Sequence, residues 1–500
     1  MDQVSRASRA GGARGLPGGG GEPDLAWWAE AVFGGWRERP GPRYVRLATA
    51  LLEAIEQRTL RRGTRVPAER PLAAVVGVSR GTVVACFDHL VAAGVLTRRQ
   101  GAGTYVTGRP SWAATPAATS VATMLLRRVA ADRETIDLSV STPGDLRHLP
   151  GFDPGLTWSA LDGHGMDPAG LPRLRESVAR FLTRFQGLAT SASQVVITAG
   201  AQEALWLLTR TLPGGSVPVA RVLVGCPTYP GLPAALSGLG TRMVPVPADG
   251  AGPDPLALQR AGREPGSLAF LMPTGHNPTG AVMPLVRRQA IAAIADAGHV
   301  TVIEDMALAD LVLDRSEAPR PQPIAALSTR VVAFGSTAKV LWGGLRVGWI
   351  RADEPLRSAL IARKAGVSLG TSAISQAAAA QLLDAVTGDW LAAHRDTLAQ
   401  RRDHLAALLT SYLPAWRIRL PEAGLSLWAE LPVDSADAFV PVAARHGVTV
   451  MPGSTACVDG QHRQFVRISF AEQPGTLELA AERLAAAWEA HAENLAASPR

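Results

Sequence analysis

The stretch VVAFGSTAKVLWGGLRVGWI (331–350) runs from an apolar segment through a Gly/Ser turn to a lysine at 339 and an arginine at 346. The lysine is the unusual residue. Of the 50 lysines and arginines in the chain, two are lysine, Lys339 and Lys364. A sequence that uses arginine almost everywhere keeps an amine by drift or where a guanidinium fails, and condensation with an aldehyde is such a place. Ser336 and Arg346 flank Lys339 with groups suited to a phosphate, the arginine bidentately. An amine and a phosphate cradle at a strand end point to pyridoxal 5'-phosphate.

Residues outside this stretch extend the pattern. VIEDMALAD (302–310) ends an apolar run at Asp305, whose carboxylate could pair with a pyridinium nitrogen. A helix cap is the structural alternative for the Glu304–Asp305 pair. MPTGHNPTG (272–280) carries Asn277, a donor suited to a phenolate oxygen, and ITAGAQEAL (197–205) puts Gly200, Ala201 and Gln202 at a strand-to-helix junction. Backbone N–H groups at such a junction bind phosphate. CPTYPG (226–231) offers Tyr229 for stacking on a ring. FVRISFA (465–471) sets Arg467 in an apolar strand, where a carboxylate ligand or an internal acid would offset its burial.

The 500 residues exceed what one hydrophobic core organises, so at least two domains are expected. From 135 to 493, apolar runs at 195–198, 221–225, 268–273, 300–305 and 330–335 alternate with Ala/Leu-rich helical segments. That alternation predicts an α/β domain with a mostly parallel sheet. Residues 1–39 read as a low-complexity tail, with a short tryptophan-bearing helix possible at 24–39. Residues 40–108 read as a compact domain and 109–134 as an Ala/Thr/Pro-rich linker.

Charge singles out the first domain. Residues 37–109 hold 13 arginines and 5 acidic side chains, a net +8, so this segment accounts for the chain's whole excess of +7 and the rest sums to −1. A local basic excess is the footprint of a polyanion, nucleic acid first. The spacing predicts helices at 43–57, 68–76 and 80–93, a turn at 59–67, Gly77 as a C-terminal cap and Ser79 as an N-cap. Two short helices about a Gly turn make a helix-turn-helix, and GVLTRRQGAGTYV (94–106) reads as a hairpin wing. Ser79, Arg80 and Thr82 would face the major groove, Arg70 the backbone, and Arg98 and Arg99 phosphates or the minor groove.

RGTRVPAERPLA (62–73), GVSRGTV (77–83) and GAGTYV (101–106) resemble the winged helix of GntR-family regulators. Gly101, Gly103 and Thr104 belong to the wing of that match. Ala68 departs from it, replacing the family's serine and a capping or phosphate contact. The order GAQ, Tyr229, HNPTG, Asp305, GSTAK, Arg346, Arg467 resembles a fold-type-I aminotransferase. The two together resemble the MocR/GabR-type regulators. The resemblance implies that Lys339 carries the internal aldimine of pyridoxal 5'-phosphate. It implies that Ala201, Gln202, Tyr229, Asn277, Asp305, Ser336 and Arg346 hold the cofactor, and that Arg467 takes an amino acid's α-carboxylate. It also implies a domain-swapped, head-to-tail homodimer on double-stranded DNA with an amine or amino-acid effector. Ala307 stands where the family often has a tyrosine, and GHGMDPA (163–169) lacks the usual Tyr-Gly. Both departures suit a sensor better than a working aminotransferase, the second reading.

No long uncharged apolar run predicts a membrane span, and the arginine-bearing N-terminus has no apolar core of a secretory signal. Three scattered cysteines, Cys86, Cys226 and Cys457, argue against a disulfide framework or a zinc finger and suit a reducing cytoplasm.

Overall fold

The computed structural model describes residues 24–497, apart from 39–41, 57–58, 61–62, 93–94, 100–102, 107–133, 145, 160, 162, 213–218, 237–238 and 314–319. The chain divides into two compact units, Met1–Thr115 and Pro116–Arg500. Gly101 and the segment expected as a linker, up to residue 133, lie outside the described residues. Among those described, no single helix is long and apolar enough to cross a membrane.

In the first unit, α1 (Arg43–Glu56), α2 (Glu69–Val76) and α3 (Arg80–Ala92) precede the wing strands β2 (Leu96–Arg99) and β3 (Gly103–Val106). The segment expected as a turn contains a further short strand, β1 (Arg65–Val66), which pairs with β3. Hydrogen bonds of the sheet thus satisfy the backbone where the Gly and Arg content suggested only a turn. Gly77 ends α2 at φ 70°, a conformation that costs a Cβ-bearing residue. The segment before residue 40 is not only a tail. Trp28, Val32, Phe33 and Trp36 are buried in one cluster with Leu47, Leu51, Leu72, Phe87 and Leu90. Burying several large aromatic rings outweighs the polar, Gly-rich character of what precedes them.

The second unit is built on a seven-stranded sheet. Its strands are β4 (Val195–Thr198), β5 (Arg221–Val224), β6 (Arg242–Pro245), β7 (Ser267–Leu271), β8 (Thr301–Asp305), β9 (Val331–Ser336) and β10 (Gly348–Arg351). The order is β4-β10-β9-β8-β7-β5-β6. β10 runs antiparallel to both neighbours and the remaining pairs are parallel. Successive side chains sort to two cores. Leu268, Phe270, Ile303, Val332 and Phe334 join one, while Ala269, Leu271, Val302, Val331 and Ala333 join the other. Both faces are covered, so these strands read as continuous apolar runs rather than alternating ones.

A smaller antiparallel sheet contains β11 (Arg417–Arg419), β12 (Ser426–Glu430), β13 (Met451–Pro452) and β14 (Phe465–Ser469). Residues Ile136–Asp137 pair in parallel with Val448–Thr449. Leu138 continues the contact, and the chain then passes Ser139 and Ser141.

The cysteine expectation is overturned. Cys226 and Cys457 are joined, with Cα atoms 5.4 Å apart across 231 residues. No local spacing announces such a pair. It arises because the loop after β5 and the turn after β13 lie together, where Thr228 N donates to the Ala456 carbonyl at 2.7 Å. Cys86 stays free and buried.

Candidate functional site

Strand register assembles the second unit's site. Ser336 at the end of β9 is the partner of Gly348, which is the partner of Thr198. Two residues beyond Thr198, Gly200 precedes the helix α4 (Ala201–Thr211) at φ 99°. Two residues before Gly348, Arg346 adopts a left-handed φ of 51° and its Nη2 donates to the Ala199 carbonyl at 2.7 Å. A Cβ on Gly200 would lie 3.3 Å from that Nη2, and one on Gly348 2.6 Å from Gly200 backbone. The α4 N-terminus, Ser336 and Arg346 therefore converge, and glycines keep the cradle open. Free N–H groups and a guanidinium suit a phosphate.

Lys339 lies in a π-helical turn, Ala338–Trp342, that follows β9. Its Nζ donates to the Ser141 carbonyl at 2.5 Å. Burial, then the charge of Arg467, lowers its pKa to about 8, against an upward pull from Asp305. Asp305 is 4% exposed at the end of β8 and accepts from Ala307 N at 2.8 Å. Desolvation raises its pKa to about 6, with Lys339 acting in the opposite direction.

Gln202 organises the aromatic side of the site. Its Nε2 donates to the Gly231 carbonyl at 2.9 Å, and Tyr229 Oη donates to its Oε1 at 3.1 Å. Burial, then the Asp305 charge, raises the Tyr229 phenol to about 12, so it stays protonated. Arg467 on β14 is 6% exposed. Its Nη1 donates to Asn277 Oδ1 at 2.8 Å and its Nη2 to the Ser139 carbonyl. Its Nε has no hydrogen-bond partner among the described residues, and burial lowers its pKa to about 10. Among the described residues no carboxylate hydrogen-bonds this guanidinium, although the charge of Asp137 pulls its pKa upward. A buried cation held by neutral acceptors, one donor unused, suits an anionic ligand.

These groups fit pyridoxal 5'-phosphate: an amine, a carboxylate, a phosphate cradle and an aromatic ring share one site. Sequence reasoning missed the carbonyls of Ser139 and Ser141, which hold Arg467 and Lys339. It also missed Gly348. Backbone acceptors have no side-chain signature, though a glycine inside an apolar strand hints at close approach.

In the first unit, Thr82 N donates to Ser79 Oγ at 3.1 Å, so Ser79 caps α3. Arg80 is exposed at that helix start, and its guanidinium lies 3.5 Å from Glu69. Arg70 is exposed and Thr82 half-buried. Arg98 pairs with Asp88 at 2.6 Å and Glu69 at 3.4 Å, while Arg99 lies on β2. Gly103 and Thr104 lie on β3, with Gly103 at φ 108°. Ala68 precedes α2 without a side-chain cap.

The family described as "Aminotransferase class I and II" matches residues 164–484. The chain belongs to the aminotransferase class I and II family. A second family, "Bacterial regulatory proteins, gntR family", matches residues 43–106. An aminotransferase class I and II domain behind a gntR-family domain is the arrangement of MocR-type transcriptional regulators. The chain is 31% identical to the HTH-type transcriptional regulator TauR of Rhodobacter capsulatus, over 64% of this chain and 70% of that protein. It is 28% identical to the probable rhizopine catabolism regulatory protein MocR of Rhizobium meliloti, over 79% and 82%. A solved aminotransferase, LysN of Thermus thermophilus, complexed with N-(5'-phosphopyridoxyl)-L-leucine, superimposes with a TM-score of 0.64 at 25% identity, covering 74% of this chain and 95% of that one. Pyridoxal 5'-phosphate is the cofactor of this aminotransferase fold.

Proposed function

We propose that the protein is a DNA-binding transcriptional regulator whose aminotransferase-like unit holds pyridoxal 5'-phosphate on Lys339 and senses an amine or amino acid. When bound, the cofactor supplies an aldehyde that condenses with amines and a ring that draws electrons from the attached carbon. The observation that carries the reading is the buried Lys339 amine sharing a site with Asp305 and with Arg467, whose Nε is unpartnered.

Each residue has a task. The α4 N-terminus, Ser336 and Arg346 bind the phosphate. Tyr229 stacks on the ring, and Asn277 donates to its oxygen. Asp305, ionised above about pH 6, keeps a proton on the ring nitrogen. Lys339 Nζ, brought toward neutrality by burial, is the nucleophile and the proton carrier beside the ring. Arg467 receives the effector's carboxylate. Ser79, Arg80 and Thr82 read the major groove, with Arg70 and the wing residues Arg98, Arg99, Gly101, Gly103 and Thr104 on the backbone or minor groove. A head-to-tail homodimer would present two such winged helices to DNA. Effector binding regulates only if it favours one DNA-binding arrangement over another.

A working aminotransferase is the second reading. The full set of cofactor-holding residues favours it, and the absence of a hydroxyl at Ala307 disfavours it. Borohydride reduction with peptide mass spectrometry tests the core of the proposal: a pyridoxyl mark is expected on Lys339 and absent in Lys339→Ala. A mark elsewhere, or none, refutes it. Steady exchange between an amino acid and a keto acid would favour the second reading.

A further inference from the structure

We propose that Cys226 and Cys457 form a reversible thiol–disulfide switch, closed by peroxide, that locks the Tyr229 loop to the hairpin carrying Arg467. Cys226 follows β5 and stands three residues before Tyr229. Cys457 follows the Gly453–Ala456 turn between β13 and β14, and Met451 of β13 is the register partner of Arg467. The bond therefore joins the large sheet's loop to the small sheet's hairpin. Those are the two sides of the proposed ligand site.

The surroundings suit exchange chemistry. Both cysteines are half-buried, and Cys226, Asp459 and His462 line a cavity of about 910 Å³. His462 Nδ1 lies 3.2 Å from Cys457 Sγ and 4.0 Å from Cys226 Sγ. Asp459 Oδ1 lies 2.8 Å from Cys226 Sγ. His462 is held in a left-handed conformation, φ 57°, uncommon for a residue with a side chain. Cys86 is the contrast, since burial pushes its thiol up to about 12. An imidazole beside one sulfur and a carboxylate beside the other make the pair unequal. His462 takes the Cys457 proton, whereas Asp459 keeps Cys226 as the thiol.

The closing step balances. The Cys457 thiolate attacks a peroxide oxygen, the O–O bond breaks, and Cys457 becomes a sulfenic acid. The leaving hydroxide takes the proton from His462 and departs as water. Cys226 sulfur then attacks the sulfenic sulfur, and its proton leaves with the hydroxyl as a second water. Two thiols are oxidised and one peroxide is reduced. A dithiol reductant reopens the bond by exchange.

The bond's formation does not depend on the proposed cofactor function, but its effect on ligand exchange does. Full-length protein is reduced, treated with hydrogen peroxide and digested without reductant. A Cys226–Cys457 peptide is expected, lost on dithiothreitol treatment and absent in Cys226→Ser and in Cys457→Ser. His462→Gln should slow its formation about tenfold at unchanged endpoint, a kinetic effect distinct from a fold defect. Backbone hydrogen exchange over 226–231 and 451–457 should fall on oxidation, and release of pyridoxal 5'-phosphate on dilution should slow about tenfold. Free thiols after peroxide, or a bond that resists dithiothreitol in the native protein, overturn the switch. The ligand atoms of Cys226, Cys457 and His462 lie within 4.8 Å of one another, so stoichiometric zinc retained by reduced protein would make this a metal site instead. A reversible bond with unchanged cofactor release and unchanged hydrogen exchange overturns the lock. Protein that switches but takes up no pyridoxal phosphate fails the cofactor reading alone.

Discussion

Arg467 Nη1 donates to Asn277 Oδ1 at 2.8 Å, so the residue proposed for a ligand's carboxylate and the one proposed for the cofactor's ring oxygen are already joined. With its oxygen engaged, the Asn277 amide presents its NH₂ as the donor. Asn277→Ala should therefore weaken both ligands. A hydrogen bond to a charged group contributes about 1.5–3 kcal/mol, so roughly tenfold to a hundredfold is expected in each affinity. Titration with pyridoxal 5'-phosphate, then with amino acids on the loaded protein, checks it. A loss confined to the cofactor would uncouple the pair.

Arg467→Met separates the two effects. Arg467 is a buried cation whose hydrogen-bond partners among the described residues are neutral and whose Nε is unused there, so its removal breaks no hydrogen-bonded ion pair among them. Removing one member of a paired buried charge costs about 3–5 kcal/mol. Here the change should be about 1 kcal/mol or less, because lost hydrogen bonds offset relieved desolvation. Cofactor capture should persist while the spectral response to amino acids disappears. Thermal melting and absorbance titration read the two outcomes, and a stability loss near the ion-pair value would make Arg467 structural.

The pKa of Lys339 sets a pH dependence. The neutral amine is the nucleophile, and lowering the pKa from 10.5 to about 8 increases that form at a given pH. At neutral pH the gain is roughly two orders of magnitude. The rate of covalent cofactor capture by cofactor-free protein should rise with pH, reach half its maximum near pH 8 and then level off. A rate still climbing steeply through pH 9.5 would place the amine in water rather than in this site.

Much of this was legible in the chain, for reasons that differ by residue. The five apolar runs became strands because a sheet covered on both faces demands unbroken hydrophobicity. The sequence assigned Asp305 to the ring nitrogen and left a helix cap as the alternative for the Glu304–Asp305 pair; alternation along β8 sends the two to opposite sides. Glu304 accepts from Ile324 N and Ala325 N, whereas Asp305 lies near Lys339. Retention of lysine was only a partial guide. Lys364 is also buried, donating to the Pro168 carbonyl and Thr371, so it was kept for fit rather than for aldehyde chemistry. The Cys226–Cys457 bond and the carbonyls of residues 139 and 141 were hidden because tertiary proximity alone creates them.

Gly200→Ala tests the cradle. The glycine sits at φ 99°, and an added Cβ would press within 3.3 Å of the Arg346 guanidinium. Strain at such a backbone position costs about 1–3 kcal/mol. Pyridoxal 5'-phosphate affinity should fall at least tenfold, and pyridoxal lacking the phosphate should lose less. Equal losses for both would show that the change acts through the ring and not through phosphate binding.

The DNA-facing arginines are not idle in the free protein. Arg80 and Arg98 both reach Glu69, and Arg98 also reaches Asp88. Exposed pairs of this kind contribute about 0–1 kcal/mol, less than a phosphate or base edge can return. Arg80→Ala should weaken binding to the protein's own promoter by about 1–3 kcal/mol. Glu69→Gln should strengthen it, since the two guanidiniums no longer leave a carboxylate to meet DNA. Each lost phosphate contact should lower the slope of log affinity against log salt by about 1. Cofactor capture on Lys339 should be unchanged in both variants, because the two sites belong to separate units. Gel-shift titrations across a salt series read the result, and Glu69→Gln binding more weakly than the parent would mean that Glu69 orients the arginines instead of restraining them.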